Sequence, residues 1–269
     1  MRQLKDTELK DQIFRILSDF AEFCDANHLR YYLCGGTLLG AIRHKGFIPW
    51  DDDVDLLMPR PDFDRMHELV RHNPIKPFYR LIGYNADKGY WPFAKLIDVR
   101  TKVINEYSTA DKHLWIDIFP MDGLPDDIEE SNRILSYAAP HKVDFVRAYA
   151  RMGKGKNIAH TLGKIPVMLY LKLIGIKKTA QRIDSLARQL PFEESEYVGG
   201  IAWSLGPKER MRREDYVPIQ DVEFNGRMFH APACWELYLK QIYGNYMELP
   251  PVEKRVNHSN VVYMKDEYE

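Results

Sequence analysis

Cysteine is scarce in this sequence. Cys24, Cys34 and Cys234 are scattered along 269 residues with no CxxC spacing. That excludes a disulfide framework and fits reduced thiols in a cytosolic protein. Cys34 precedes a Gly-Gly pair, where an inert buried cysteine is expected rather than a nucleophile. An excess of one charge is also missing. The 38 basic and 39 acidic side chains leave a formal net charge of −1, so no global field argues for nucleic acid as a partner. No stretch reaches the ~18 consecutive apolar residues of a membrane-spanning helix. The first residues, MRQLKDTELKDQIFRIL, are charged and amphipathic and lack the apolar core of a signal peptide. The expected location is the cytoplasm, in solution or at the inner face of the plasma membrane. Internal repeats and low-complexity tracts are absent too.

What is present is a 45% hydrophobic composition, ample for a packed core, and one unusual stretch. Residues 31–60 read YYLCGGTLLGAIRHKGFIPWDDDVDLLMPR. A buried strand (Tyr31 to Cys34) is expected there. It leads to a Gly35-Gly36 turn, a short helix from Thr37 to about Arg43, an aromatic loop, and a second strand that opens on carboxylates. In a strand, residues i and i+2 share a face, so Asp53 and Asp55 point one way and Val54 and Leu56 the other. Two adjacent carboxylates repel, and each resists ionising. A divalent cation with oxygen ligands removes that conflict, and Mg²⁺ is usual where phosphate is handled. The alternative is an acidic, solvated turn.

Apolar residues from Leu4 to Phe23 recur at three- and four-residue steps and predict a helix over 4–28. Pro59 ends the second strand, and Pro61 suits the first turn of a helix over about 62–71. Strands are expected at 79–82, at 93–99 running on into 100–104, and at 114–120, closed by Pro120. In the last of these Asp117 stands between Ile116 and Ile118. If the isoleucines face the core, Asp117 faces the other side, where it can join Asp53 and Asp55. From 126 to 189 the chain turns helical, with Pro140 at a bend or break. Residues 157–176 are the most apolar segment and carry lysines at their edges. They suit a buried helix or one lying in a membrane interface, the buried reading being slightly favoured. A strand at 197–201, a hairpin over 222–229 with Asn225-Gly226 at a type I′ turn, and a helix over 233–243 complete the elements.

A glycine turn opening a helix is a phosphate cradle. Joined to a DxD strand and a later strand carboxylate, it resembles the nucleotidyltransferase superfamily. Sixteen residues separate Gly36 from Asp53, more than most of its members have. That insertion, Gly40 to Trp50, narrows the match. CGGTLLGAIRHKGFIPWDDDVDLLMPR resembles the hallmark of the LicD family, and WPFAKLIDVRT, LWIDIFPMDGLP and YGNYMELPPVEKR resemble its later blocks, over about residues 10–258.

The resemblance implies an α/β (α+β) fold: a nucleotidyltransferase-like mixed-sheet core over 1–125, an accessory helical region over 126–190, and a C-terminal part, 191–269, packed back on the core. It implies an enzyme that moves phosphocholine, or a related phospho-alcohol such as ribitol or glycerol phosphate, from a CDP-linked donor to a cell-surface glycan. The expected partners are CDP-choline and a lipid-linked glycan acceptor of the teichoic acid or lipopolysaccharide type. Mg²⁺, one or two ions with Mn²⁺ as a substitute, is expected on Asp53, Asp55 and Asp117, the last also a candidate general base. Asp51 and Asp52 are expected to shape the loop. Gly35, Gly36, Thr37, Arg43, His44, Lys45, Trp50 and Lys95 are candidates for binding the donor. For Lys95 the competing reading is a salt bridge to Asp98 or to a metal-site aspartate. For Arg43, His44 and Lys45 it is a solvated loop. Trp50, Trp91, Trp115, Tyr243 and Tyr246 are candidates for a choline cage, and His258 for a substrate contact. A non-catalytic choline- or glycan-binding module would keep the aromatics but has no need of converging aspartates.

Overall fold

The structure is a computed structural model describing residues 1–86, 89–151, 165–255 and 260–268. The N-terminal apolar stripe becomes α1 (Asp6–Ala26), whose start is capped by Glu8, which accepts from the Lys5 backbone N–H at 2.8 Å. Ile13, Ile16, Leu17 and Phe20 of α1 are buried, and the helix packs on the central sheet through its longest strand.

That sheet is built from β2 (Tyr32–Leu33), β3 (Asp55–Pro59), β4 (Tyr79–Ile82), β5 (Ala94–Asp98) and β7 (Leu114–Leu124), in the order β2-β3-β7-β5-β4. The β3/β7 pair is parallel and the other pairs are antiparallel. The mixed sheet with helices gives an α/β fold, as expected. Between its strands run α2 (Gly35–His44) and α3 (Arg60–His72). Helix α2 starts at Gly35 rather than at Thr37. Gly35 takes φ +52°, a conformation that glycine adopts without strain, and so turns the chain directly into the helix.

Pro120 does not end β7. Beyond it, Asp122–Leu124 pair with β8 (Tyr197–Gly199), which also pairs with β9 (Met211–Arg212). The ladder changes partner next to the residue with no N–H to donate. The strand expected to continue from β5 leaves the sheet. β6 (Thr101–Asn105) pairs instead with β12 (Asn260–Met264), which pairs with β1 (Arg2–Gln3). β10 (Ile219–Phe224) and β11 (Arg227–Pro232) form the predicted hairpin, with Asn225 and Gly226 both at positive φ.

The helical region holds α4 (Ile128–Tyr137) and α5 (Ala139–Tyr149), with Pro140 in the first turn of α5, where its missing N–H costs nothing. Residues 165–170 are helical and pass through a π-helical turn, Leu171–Gly175, into α6 (Ile176–Ala187). Leu171, Ile176, Ala180, Ile183 and Ala187 are buried, whereas Val167, Leu169, Tyr170 and Leu173 are exposed. Helix α7 (Trp235–Tyr243) ends on Gly244 at φ +68°.

Candidate active site

Pairing of β3 with β7 starts with a backbone bond from Asp117 N–H to the Val54 carbonyl, 2.9 Å. This puts Asp55 directly beside Asp117 in the parallel register. On the other side of β7, Asp117 is the register partner of Lys95 on β5. One row across three strands therefore carries Asp55, Asp117 and Lys95 on one face. The opposite face takes Ile116 and Ile118, both fully buried.

The glycine turn closes over this row. Cys34 N–H donates to the Asp55 carbonyl at 3.2 Å, and Asp55 N–H to the Thr37 hydroxyl at 2.8 Å. Thr37 thus ties helix to strand, with its side chain buried. A Cβ on Gly35 would lie 3.5 Å from Asp55 Oδ2, and one on Gly36 only 2.9 Å from Asp51 Oδ2. The absence of side chains there lets two carboxylates approach the first turn of α2. Tyr243 brings its hydroxyl to 3.8 Å from the same Gly35 position.

Burial raises the Asp55 carboxyl well above the usual carboxylate range, and the charges of Asp53, Asp117 and Asp51 push it the same way. Burial also raises Asp117, opposed by the Lys95 ammonium. Asp117 keeps 15% of its side chain open, so the row is not wholly sealed from solvent. Asp117 Oδ2 accepts from Trp115 Nε1 at 3.1 Å. Its buried Oδ1 has no hydrogen-bond partner in good geometry, and Lys95 Nζ stands 3.3 Å away.

Lys95 pairs with Asp111 at 2.9 Å as well as with Asp117, and not with Asp98, which binds Arg100 and Gln12. Its ammonium lies over the rings of Trp115 (4.2 Å), Trp91 (4.9 Å) and Phe93 (5.9 Å). Two of the aromatic faces expected to hold choline are therefore covered by a lysine. Arg255 covers Trp50 at 4.4 Å. Arg43 donates to the carbonyls of Tyr246 (2.7 Å) and Glu248 (3.3 Å) and to His44 Nε2 (2.9 Å). It anchors the C-terminal segment against α2. Burial, with the Arg43 charge adding to it, lowers the His44 pKa. Lys45, at φ +55°, accepts from Asn225 N–H through its carbonyl and keeps its side chain in solvent. His258 lies outside the described residues.

Asp51 and Asp111 belong to the site, although the sequence reading assigned the first to loop shape and did not single out the second. Both lie outside strands and helices, so no periodicity marks the direction of their side chains. Proximity to the aspartate run was a signal for Asp51; Asp111 had none.

The oxygen-only donors of Asp55 and Asp117 are of the kind that suits a hard cation, although Asp117 Oδ1 already faces the Lys95 ammonium at 3.3 Å. Among the described residues, no three carboxylate, histidine or cysteine side chains close on a common point. The expected set Asp53, Asp55 and Asp117 is thus not a closed cage as it stands. Mg²⁺ needs no closed cage, because it commonly takes one or two carboxylates and completes its shell with water and substrate phosphate.

Over 265 residues the chain is 29% identical to the lipopolysaccharide cholinephosphotransferase LicD of Haemophilus influenzae, covering 96% of this chain and 97% of the relative. A shorter stretch of 45 residues is 62% identical to the ribitol 5-phosphate transferase FKRP of mouse and of human, covering 17% of this chain and 9% of the relative. The family described as LicD/FKTN/FKRP, nucleotidyltransferase domain, matches residues 28–150. That span contains the glycine turn, the loop after it, Lys95, Asp111 and the paired carboxylates, and residues 28–150 of this chain are a LicD-family nucleotidyltransferase domain.

Proposed function

We propose that the chain transfers phosphocholine from CDP-choline to a sugar hydroxyl of a lipid-linked lipopolysaccharide or teichoic acid precursor, at the cytoplasmic face of the membrane. The observation carrying this reading is the Asp55–Asp117 pair beside the first turn of α2, in a chain similar along its length to a cholinephosphotransferase. The hydroxyl oxygen forms a bond to the choline-bearing phosphorus, the bond from that phosphorus to the CMP oxygen breaks, and CMP leaves. Transfer of this kind depends on positioning and charge neutralisation more than on covalent catalysis.

Asp117 takes the hydroxyl proton, its raised affinity for a proton suiting it to the task. Beyond Gly35, whose N–H donates to the Tyr238 hydroxyl at 3.4 Å, the backbone N–H groups of the first turn of α2 would receive the donor phosphates. Lys95 holds Asp117 in place and adds positive charge behind it. Asp55 and Asp117, with Asp53 and Asp51 near them, would hold Mg²⁺, which would supply neutralisation of the diphosphate charge.

A second reading, transfer of ribitol phosphate or another polyol phosphate, draws on two observations. The FKRP similarity is one. The other is the covering of Trp91, Trp115 and Trp50 by Lys95 and Arg255, which leaves Tyr243 and Tyr246 as the aromatics for a quaternary ammonium. Incubation with CDP-choline, CDP-ribitol and CTP in turn, with Mg²⁺ and acceptor, separates the readings. Release of CMP from CDP-choline is expected. CMP from CDP-ribitol alone selects the polyol, and pyrophosphate from CTP means nucleotidyl transfer. D55N and D117N are each expected to abolish turnover while remaining folded. Full turnover by either variant removes the mechanism.

A further inference from the structure

The helical run from residue 165 into α6 presents an outer face that does not suit water. Leu173 is 75% exposed, Tyr170 59%, Leu169 54% and Val167 51%. Leu169, Tyr170, Leu173 and Lys177 recur at three- and four-residue steps, so they share one side. The buried residues Leu171, Ile176, Ala180 and Ile183 occupy the other. The π-helical turn makes this division possible. The five-residue step from Leu171 to Ile176 keeps both on the inner side, where a regular helix would rotate one of them outward. Two more exposed apolar residues, Val143 and Val146, lie on α5, which packs against the π turn.

Charge singles out the same surface. Residues 165–183 contain Lys172, Lys177, Lys178 and Arg182 and no acidic residue. All four cations are exposed, and no described carboxylate pairs with them. Arg188, six residues beyond Arg182, pairs with both Asp64 and Asp184. In a protein of net charge −1 this is a local positive field over exposed apolar side chains.

A second copy of the chain is a poor occupant, because a two-fold contact through this face sets lysines against lysines. A nucleic acid would take the cations and leave the apolar side chains without a partner. An anionic bilayer takes both, with the apolar residues entering the headgroup boundary and the lysines staying among the phosphates. We infer that this face is the membrane-docking surface of the protein, recognising anionic lipid headgroups. This deepens the proposed function, since it rests on an acceptor that is lipid-linked.

Flotation with vesicles tests it, using phosphatidylglycerol mixed with phosphatidylcholine in one arm and phosphatidylcholine alone in the other. The full chain is expected to float with the anionic vesicles and to be released by high salt. K172Q/K177Q/K178Q is expected to lower binding by at least about tenfold, and Y170Q/L173Q to lower it comparably. These side chains are solvent-exposed, so both variants are expected to keep the wild-type melting temperature and the wild-type rate on a delipidated, water-soluble acceptor. That rate distinguishes the two ideas: if wild type releases no CMP in solution, the transferase reading fails while flotation still reports on the surface. The inference is overturned if wild type does not float, if either variant binds like wild type, or if light scattering shows a wild-type dimer that the variants dissociate.

Discussion

Gly36 has no room for a side chain without moving Asp51, whose Oδ2 would sit 2.9 Å from the added Cβ. Alanine in the first turn of a helix is otherwise no worse than glycine, so G36A is expected to melt within a few degrees of wild type. Its turnover is expected to fall by about 10–100-fold, the effect of a small misplacement at a reacting centre. Comparing its CMP release with that of D51N checks the claim, and a G36A enzyme of normal activity disposes of it. Lys95 makes a different case. Its ammonium is nearly buried between Asp111 and Asp117, and K95M leaves both carboxylates without a cation. The expected loss of stability in urea unfolding is about 3–5 kcal/mol, with part of it restored in K95M/D111N. An unchanged midpoint for K95M contradicts this account. Residue by residue, the sequence disclosed what periodicity can disclose. An aspartate between two isoleucines had to face away from the core, and a lysine in an apolar strand needed an anion. Alternation says nothing about which anion, so Asp111, in a non-repetitive segment, was not visible. Nor was the use of tryptophan faces by Lys95, because cation–π contacts join residues with no fixed spacing.

At the scale of elements, a buried charge cluster joins the helical region to the sheet. Arg60, the first residue of α3, binds Asp122 of β7 through Nε and Nη2 and Asp184 of α6 through Nη1 at 2.9 Å. Tyr84 and Arg188 also bond Asp184. All three central residues are under 9% exposed. Burying these charges has a large desolvation cost that only complete pairing offsets. R60M is therefore expected to destabilise the protein by about 3–5 kcal/mol, and R60M/D122L to recover much of that by removing the stranded carboxylate. Urea unfolding of the three proteins decides it, and a double variant no better than R60M counts against the pairing argument. The single elements here were readable: α3 from its proline, β7 from its alternation, the hairpin from Asn225-Gly226. Their long-range partners were not. Nothing in the local pattern of Thr101–Asn105 announces that it will pair with Asn260–Met264, some 155 positions away. The exposure of the 165–173 helix was also unreadable, because an apolar run looks alike whether it faces a core or a bilayer.

For the whole molecule, stability between pH 4.5 and 7 is set by buried groups that act in opposite directions. Burial holds the His67 imidazole down at about 4, with Nε2 unpartnered and the ring against Phe63. The unfolded chain binds that proton near 6.5. The stability contributed by neutral His67 is present above pH 6.5 and is lost as pH falls toward 4, about 3 kcal/mol in all. Glu209 works the other way. Burial raises its carboxyl to about 7, against hydrogen bonds from Leu205 N–H and Ser204. The folded protein therefore holds a proton that the unfolded chain releases near 4.3. Its contribution is present at low pH and is lost as pH rises through 7, again about 3 kcal/mol. Over the shared window the two slopes offset each other, and the raised Asp55, Asp117 and Asp122 carboxyls lean toward the Glu209 side. Substitution exposes each slope separately. H67Q is expected to become steadily more stable relative to wild type as pH is lowered from 6.5 to 4.5. E209Q is expected to become less stable relative to wild type over the same range. Any constant cost of either change shifts its whole curve and leaves the slope untouched. Urea unfolding at half-unit pH steps measures both, and curves for H67Q and wild type that run parallel through the window show that His67 is not the group that titrates.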